Sequence, residues 1–322
     1  MKRSVRLLAT VLITAAATAY VLYKVDLGKT VDIITSASPW WLAISGLLTV
    51  GTVPFMAWRW QQLLRVRDVR EGVWWLTRAY FVSYAVGQVL PTSVGGDASR
   101  IFETARRHPG QITPITGSVL LERSLGGAVT LLLAGIGLLL AIGRYDIGAY
   151  VWVELLFVVG TLVAGVVFFS RRVRTHLRFA LPIARKLRVE TPARAVYDGI
   201  HGYRDHVPTL VLVCVVTVFL QLSRIVAIYA SGRAVGIHLS LLPYVVLGPL
   251  LFLVMLVPFT VNGIGVREAF FVSFLGKLGV PADQAFACGF IFFVMTVLLA
   301  LPGVVVILWE GLRRPAVVDG TA

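Results

Sequence analysis

Long apolar runs, separated by short polar segments rich in arginine, fill most of this chain. Several runs exceed the ~20 residues that a helix needs to cross the hydrocarbon core of a bilayer. The pattern therefore predicts a helical membrane protein. The runs lie at about 7–23, 40–58, 73–90, 112–142, 148–170, 208–230, 241–257, 266–279 and 281–309.

Arginine placement predicts which of these runs cross the membrane, because basic loops stay in the cytoplasm. A basic loop that should be cytoplasmic lies on each side of residues 73–105, and residues 91–104 within this segment are too polar to cross the membrane. This segment must enter and leave on one side, as a re-entrant hairpin. The same parity predicts a second hairpin, 241–279, that enters from the outside. The most basic segments are 59–70, 105–108 and 171–206.

The predicted fold is an all-α polytopic membrane protein with about eight membrane helical elements. It forms a single membrane domain, 1–322, with two inverted-topology halves at about 1–145 and 146–314. Each half contains one hairpin broken by proline and glycine, and both termini lie in the cytoplasm. The first apolar run could also be a signal peptide, but its small residues lie in the middle of the run, so a span is favoured. The six full spans are 7–23, 40–58, 112–142, 148–170, 208–230 and 281–309.

Composition narrows the function classes. With 57% hydrophobic residues, 14% charged residues and a mean hydropathy of +0.83, the chain cannot be a soluble domain. The formal charge of +14 does not indicate nucleic-acid binding, because the basic residues flank apolar runs and act as topology signals and contacts for anionic lipid. Cys214 and Cys288 are isolated, and the five histidines show no metal-binding spacing. We predict a multi-pass cell-membrane protein with no cofactor and no metal.

An internal repeat interrupts two of the apolar regions. Residues 91–100 (PTSVGGDASR) and 258–267 (PFTVNGIGVR) share the pattern Pro-x-Ser/Thr-Val-x-Gly-x-x-x-Arg and lie 167 positions apart. In lipid, a backbone broken by proline and glycine survives only where it is packed in protein or lines a wet cavity. Both copies therefore mark a candidate transport path.

The repeat also predicts an anion site at each hairpin tip. Proline breaks the helix and glycine allows a close approach to a ligand, so that the restarting helix offers free N–H groups and a positive dipole end. Arg100 and Arg267 could add bidentate contacts to a lipid phosphate; alternatively, each snorkels to its interface. The candidate tip residues are Pro91, Ser93, Gly95, Gly96, Asp97 and Arg100 in the first copy, and Pro258, Thr260, Asn262, Gly263, Gly265, Arg267 and Glu268 in the second.

Carboxylates at membrane depth need partners or water. Asp97 and Arg100 are three residues apart on one presumed helical face. Glu122 and Arg123 are adjacent and point to different faces, so we expect them to reach across to the hairpins. A structural network and a network that couples protons or substrate remain equal alternatives.

Two further arginines precede the repeat copies at similar distances. Arg59 lies 32 residues before Pro91, and Arg224 lies 34 residues before Pro258. Both could add positive charge to the path. Arg59 is flanked by tryptophans, which favours an interfacial anchor for this residue.

The basic segment 171–206 mixes arginines with leucine, isoleucine and phenylalanine. This composition favours an amphipathic cytoplasmic helix that lies on anionic head groups. A plain connector is the alternative.

These motifs resemble the lysylphosphatidylglycerol-synthase transmembrane-region family, a flippase-like module also found in bacterial multiple-peptide-resistance-factor proteins. The similarity covers nearly the whole chain. Asn262 stands where glycine is common in the family pattern. The matching positions are Pro91, Gly95, Gly96, Asp97 and Arg100, the pair Glu122 and Arg123, and Pro258, Gly263, Gly265, Arg267 and Glu268.

The resemblance implies movement of a lipid between leaflets rather than synthesis. The expected substrate is an anionic phospholipid or a polyprenyl-phosphate-linked glycolipid, and the expected protein is a flippase or secondary transporter without enzyme activity. One alternative is a membrane-embedded transferase with Asp97 or Glu268 as base. Another is a scaffold for a partner synthase or glycosyltransferase.

Overall fold

The computed structural model describes residues 18–89, 95–141, 205–256 and 265–313, with isolated positions between them. Regular structure in these residues is helical throughout. After a helical stretch at 18–24, the helices are α1 Leu27–Thr35, α2 Pro39–Gly51, α3 Val53–Val66, α4 Val73–Val89, α5 Gly95–Arg107, α6 Ile112–Ala141, α7 Val207–Ala234, α8 Leu242–Leu256, α9 Val266–Gly276, α10 Ala282–Leu298 and α11 Ala300–Arg313.

Four helical segments of the described chain are long and apolar enough to cross a membrane. They confirm the prediction of a multi-pass helical membrane protein. Three of them match predicted spans closely, and the fourth extends the predicted span 40–58. Of the other predicted spans, 7–23 is described only from residue 18, whereas 148–170, like the connector 171–206, lies outside the described residues apart from isolated positions. The four segments are Pro39–Val66, Ile112–Leu140, Val207–Ala234 and Ala282–Glu310.

The predicted loop 59–70 is partly wrong, because α3 continues to Val66. Trp60, Leu63 and Leu64 on this stretch are fully buried, so packing extends the helix beyond the last apolar run. Arg59 is therefore a helical residue inside the bundle.

Helices α4 and α5 form a hairpin whose outer ends meet. Glu71, two residues before α4, accepts a hydrogen bond from Nε of Arg107 at 2.6 Å and lies 3.1 Å from Nε2 of His108. Near the tip, Gly96 packs against the backbone of Ser83. The start of α4 and the end of α5 thus lie together, as the predicted hairpin 73–105 requires, while residues 90–94 between the two helices lie outside the described residues.

The start of α8 and the end of α9 also lie at the same end of the bundle. The residues that follow α7 and the first turn of α10 line one cavity of about 330 Å³, in which Gly236 lies beside the side-chain amide of Gln284. The segment between them, which contains the predicted hairpin 241–279, therefore starts and finishes at the same end of the bundle.

The two hairpins start at opposite ends. Helices α2 and α3 run antiparallel to α7. Just before α2, the N–H of Ser38 donates to the carbonyl oxygen of Ala234, the last residue of α7, at 2.9 Å. Near the end of α3, the carbonyl oxygen of Leu63 accepts from the hydroxyl of Tyr203, which precedes α7, at 3.0 Å. The outer ends of α4 and α5 lie at the Leu63 end, and those of α8 and α9 lie at the Ser38 end. We call the Leu63 end the basic end because its surface carries Arg65, Arg67, Arg70, Arg106 and Arg107.

Each helix pair packs closely against a helix that is distant in the sequence. Helix α6 packs on α8 and α11 packs on α4. A Cβ atom on Gly137 of α6 would lie 3.0 Å from the carbonyl oxygen of Val245, and one on Gly303 of α11 would overlap the carbonyl oxygen of Phe81. Glycine is therefore required at position 303, whereas a side chain at position 137 would push the two backbones apart by a few tenths of an ångström.

Candidate functional site

Glu122 of α6 is the centre of a buried charge network. Its carboxylate is bound from three other helices: Arg59 of α3 and Tyr80 of α4 donate to Oε1, and Nη1 of Arg100 on α5 donates to Oε2 at 2.8 Å. Glu122 is only 3% exposed. A carboxylate can be buried here because charge-assisted hydrogen bonds replace its water.

Asp97 is the second carboxylate of the network. It accepts a hydrogen bond from Nε of Arg100 at 3.0 Å and pairs with Nε of Arg123. Three arginines thus share two carboxylates, which leaves the network with a net charge of +1. We refer to Arg59, Asp97, Arg100, Glu122 and Arg123 as the central network.

Aromatic and hydroxyl groups fix the arginines of the network. The guanidinium of Arg100 packs against the rings of both Trp60 and Tyr80, 4.6 Å from each centroid, where cation–π attraction is strong because water is excluded. Nη1 of Arg59 donates to the hydroxyl of Thr217 on α7 at 2.9 Å. Four helices, α3, α4, α5 and α7, are therefore tied to α6 through these side chains.

Glycine at the start of α5 allows the network to form. A Cβ on Gly96 would lie 2.5 Å from the carbonyl oxygen of Ser83, so only glycine permits this approach of α5 to α4. The approach brings Arg100 within reach of Tyr80 and Glu122. Asp97 also lies in the first turn of α5, where the helix dipole favours a negative charge.

The second repeat copy forms its own ion pair. Gly265 has φ of +80°, a conformation that suits glycine, and its N–H donates to Oε2 of Glu268 at 2.8 Å. Nε of Arg267 donates to Oε1 of the same carboxylate at 2.9 Å, and its guanidinium lies 4.2 Å from the ring centroid of Phe293. Adjacent residues can pair here because Glu268 folds back to cap α9.

Arg224 of α7 differs from these buried arginines. It is exposed, and it lines a narrow cleft of about 10 Å³ between α6, α7 and α8 together with Thr130, Gln221 and Gly248. The amide of Gln221 donates to the hydroxyl of Thr130 across this cleft. Within the part of the chain that the structure describes, no carboxylate pairs with Arg224.

The structure locates part of the predicted site. The expectation that Glu122 and Arg123 reach across to the first hairpin is confirmed. The anchor interpretation of Arg59 is wrong, because this residue is buried and bound to Glu122. The predicted tip residues Pro91, Ser93, Pro258, Thr260, Asn262 and Gly263 lie outside the described residues.

Sequence reasoning missed several members of the site. Thr217 is one of the few polar residues in the apolar run of α7, which was a weak signal. Tyr80 and Trp60 carry no signal of their own, because aromatic residues are common throughout membrane helices. In the described ranges, no group of three or more metal-ligating side chains comes together.

Fold and site together define a class: a helical membrane protein in which buried charged side chains from several helices pair with one another. The chain belongs to the family described as lysylphosphatidylglycerol synthase TM region, whose model matches residues 7–303. The resemblance found from the motifs is thereby confirmed. Neither a curated protein nor a solved structure matches the chain.

Proposed function

We propose that the protein is a lipid flippase or secondary lipid transporter. It moves an anionic phospholipid or a polyprenyl-phosphate-linked glycolipid between leaflets, with the head-group phosphate bound between two opposed hairpin tips and the tail in the bilayer. The observation that carries this proposal is Arg224, an exposed cation in a cleft between helices at membrane depth.

The arrangement of the hairpins supports alternating access. The first pair, α4 and α5, starts from the basic end, and the second, α8 and α9, starts from the opposite end. Helix α6 packs on α8 of the second pair, and α11 packs on α4 of the first pair. This exchange of contacts is consistent with an inverted-topology repeat of re-entrant hairpins. The basic end is cytoplasmic by the positive-inside rule. Helix α11 ends there, where Nε of Arg78 donates to Glu310 at 2.9 Å, so the C-terminus is cytoplasmic.

The depth of Arg224 supports phosphate binding. It lies ten residues before the end of α7, a distance of ~15 Å along the helix. A cation at that depth is costly unless an anion or water accompanies it. A lipid phosphate that approaches the exposed side chain of Arg224 from the bilayer would supply the anion and leave its tail in lipid.

The transferase alternative has less support. It requires a carboxylate that is free to accept a proton. Asp97 is bound by Arg100 and Arg123, and Glu268 is bound by Arg267 and by the backbone of Gly265. Both carboxylates are therefore already occupied by arginine.

Leaflet exchange in proteoliposomes tests the proposal. Arg224→Gln should slow the exchange of an anionic phospholipid at least tenfold, because it removes the cation of the cleft. Arg233→Gln is the matched control: it removes the same charge from the same helix, on the opposite face, where Arg233 stacks on Trp41 at 5.6 Å. Wild-type exchange equal to that of empty liposomes, or equal loss in both variants, would contradict the proposal.

A further inference from the structure

Helix α1 lies at the end of the bundle opposite the basic end. Three residues after α1, the N–H of Ser38 bonds to Ala234, the last residue of α7, and α2 begins at the next residue. Just before α1, the N–H of Asp26 donates to the carboxylate of Asp283, in the first turn of α10, at 2.7 Å. Three of the segments that are long and apolar enough to cross a membrane therefore start or end beside α1. Such a level is where spans leave the hydrocarbon core.

The bonds and contacts at its two ends place α1 across α10 rather than alongside it. The helix has nine residues and is therefore ~13 Å long. Its beginning is bonded to Asp283, and near its end Ile33 and Ser36 line the same cavity as Gln284, the next residue of α10. A helix parallel to α10 would have one end ~13 Å away from this turn. Because α10 begins a membrane-spanning segment, α1 lies along the plane of the membrane.

Helix α1 has two apolar faces, and only one of them packs on the protein. Thr30 is buried, and Ile33 and Ile34 pack against the main apolar core. Leu27 and Val31 lie one helical turn apart, on a second face, and are 54% and 58% exposed. Large apolar side chains gathered on one exposed face of a helix are typical of helices that lie in a membrane interface.

The third face of α1 is polar and points to water. Lys29 and Asp32 are exposed, and the side chain of Asp32 is rotated by ~100° around the helix from that of its neighbour Val31. Residues 24–36 carry two basic side chains, Lys24 and Lys29, and two acidic ones, Asp26 and Asp32, so that this segment has no net charge. Attraction to anionic head groups therefore does not hold it at the membrane.

An exposed tryptophan lies at the same level as the end of α1. Trp40, in the first turn of α2, is 71% exposed. Tryptophan is enriched where a span meets the head groups, because its ring is apolar and its N–H is polar. Its position agrees with the placement of α1 at the membrane–water interface.

We infer that α1 is an interfacial helix that docks on the leaflet opposite the basic end. Leu27 and Val31 enter the upper part of the acyl chains, while Lys29 and Asp32 remain in water. The occupant of the exposed apolar face is the bilayer itself, held by apolar contact without a requirement for anionic lipid. This inference goes beyond the proposed function, because it concerns the surrounding membrane rather than the transported lipid.

Spin labels on two adjacent residues test the inference in the full chain, reconstituted in phosphatidylcholine vesicles. Val31→Cys and Asp32→Cys, each in a Cys214→Ala, Cys288→Ala background, are compared by electron paramagnetic resonance with oxygen and a water-soluble nickel chelate as relaxing agents. The label at 31 should favour oxygen over the chelate by about tenfold more than the label at 32, since oxygen concentrates in lipid. Leu27→Cys should behave as Val31→Cys does, and Leu47→Cys, exposed on α2, gives the value within a span.

Each other outcome contradicts the inference. Equal access of the chelate to positions 31 and 32 would place α1 in water, and exclusion of both agents at 31 would show that protein covers this face. A preference for oxygen that appears only after phosphatidylglycerol is added would contradict the apolar basis of docking.

A second measurement leaves the native cysteines in place. Cys288 is buried, and Cys214 lies within the apolar segment of α7. A membrane-impermeant maleimide should modify Asp32→Cys about tenfold faster than Val31→Cys in vesicles. Equal rates would overturn the inference.

Discussion

Substitution of Gly96 by alanine should separate the first hairpin from the central network. The new Cβ would lie 2.5 Å from the carbonyl oxygen of Ser83, whereas real contacts of this kind do not fall below 3.0 Å and become ordinary at 3.4 Å. Helix α5 must therefore shift by between 0.5 and 0.9 Å. Rotation of a side chain cannot relieve the clash, because the oxygen belongs to the backbone of α4.

The shift would weaken the bonds of Arg100. Its hydrogen bonds to Tyr80 and Glu122 are 2.7 and 2.8 Å long, so that an added half ångström or more brings them to or beyond the usual limit of ~3.2 Å. Overpacking costs ~1–3 kcal/mol, and the better helix propensity of alanine returns ~1 kcal/mol. With the weaker charged hydrogen bonds included, we expect a net loss of ~2 kcal/mol of stability.

Unfolding of the purified protein in mixed micelles, titrated with a denaturing detergent, measures this loss. Gly126→Ala is the control, because a Cβ on Gly126 has no neighbour within 4 Å among the described residues. It should leave stability unchanged or raise it by up to ~1 kcal/mol. Wild-type stability and wild-type lipid exchange in Gly96→Ala would refute the claim that close packing of α5 on α4 holds the network in place.

Two further predictions concern the network and the helix crossings. Glu122→Gln removes the negative charge between Arg59 and Arg100 and should cost ~3 kcal/mol in the same titration; a loss below 1 kcal/mol would show that water or lipid already compensates these arginines. Gly303→Ala should cost ~1–3 kcal/mol by overpacking, whereas Gly135→Ala, with no described neighbour within 4 Å, should cost nothing. Equal stability of the two alanine variants would argue against close backbone contact at Gly303.

Hydropathy predicted the helices well where the buried residues are apolar. It predicted them poorly where buried polar residues are stabilised by hydrogen bonds or ion pairs. The spans beginning near residues 112, 208 and 281 agree with the structure within a few residues at their starts. The span from residue 40 was ended too early at 58, because Arg59 and Gln61 count as polar in any local average. Their partners, Glu122 and the carbonyl of Glu71, lie elsewhere in the chain, and a local average contains no term for them.

Part of the site was predictable because an unpaired charge at membrane depth is energetically unfavourable. A carboxylate at membrane depth must have a partner, so the contact of Glu122 with the first hairpin was expected, and Asp97 was expected to pair with Arg100 on its own helix. The choice of partner did not follow. Arg59 pairs with Glu122 across 63 positions, and Thr217 supports Arg59 across 158. Only three-dimensional packing brings such residues together.

The division between paired and unpaired arginines suggests separate roles. Arg100 and Arg267 are buried and bound to carboxylates, so a ligand could not engage them fully without breaking their bonds to Glu122 and Glu268. They contribute a fixed field rather than a movable contact. Arg224 has no such bond in the described chain, so under the proposed function it would follow a phosphate as the lipid moves. A transport cycle needs both properties, because a rigid positive field attracts the anion while a mobile cation lets it leave.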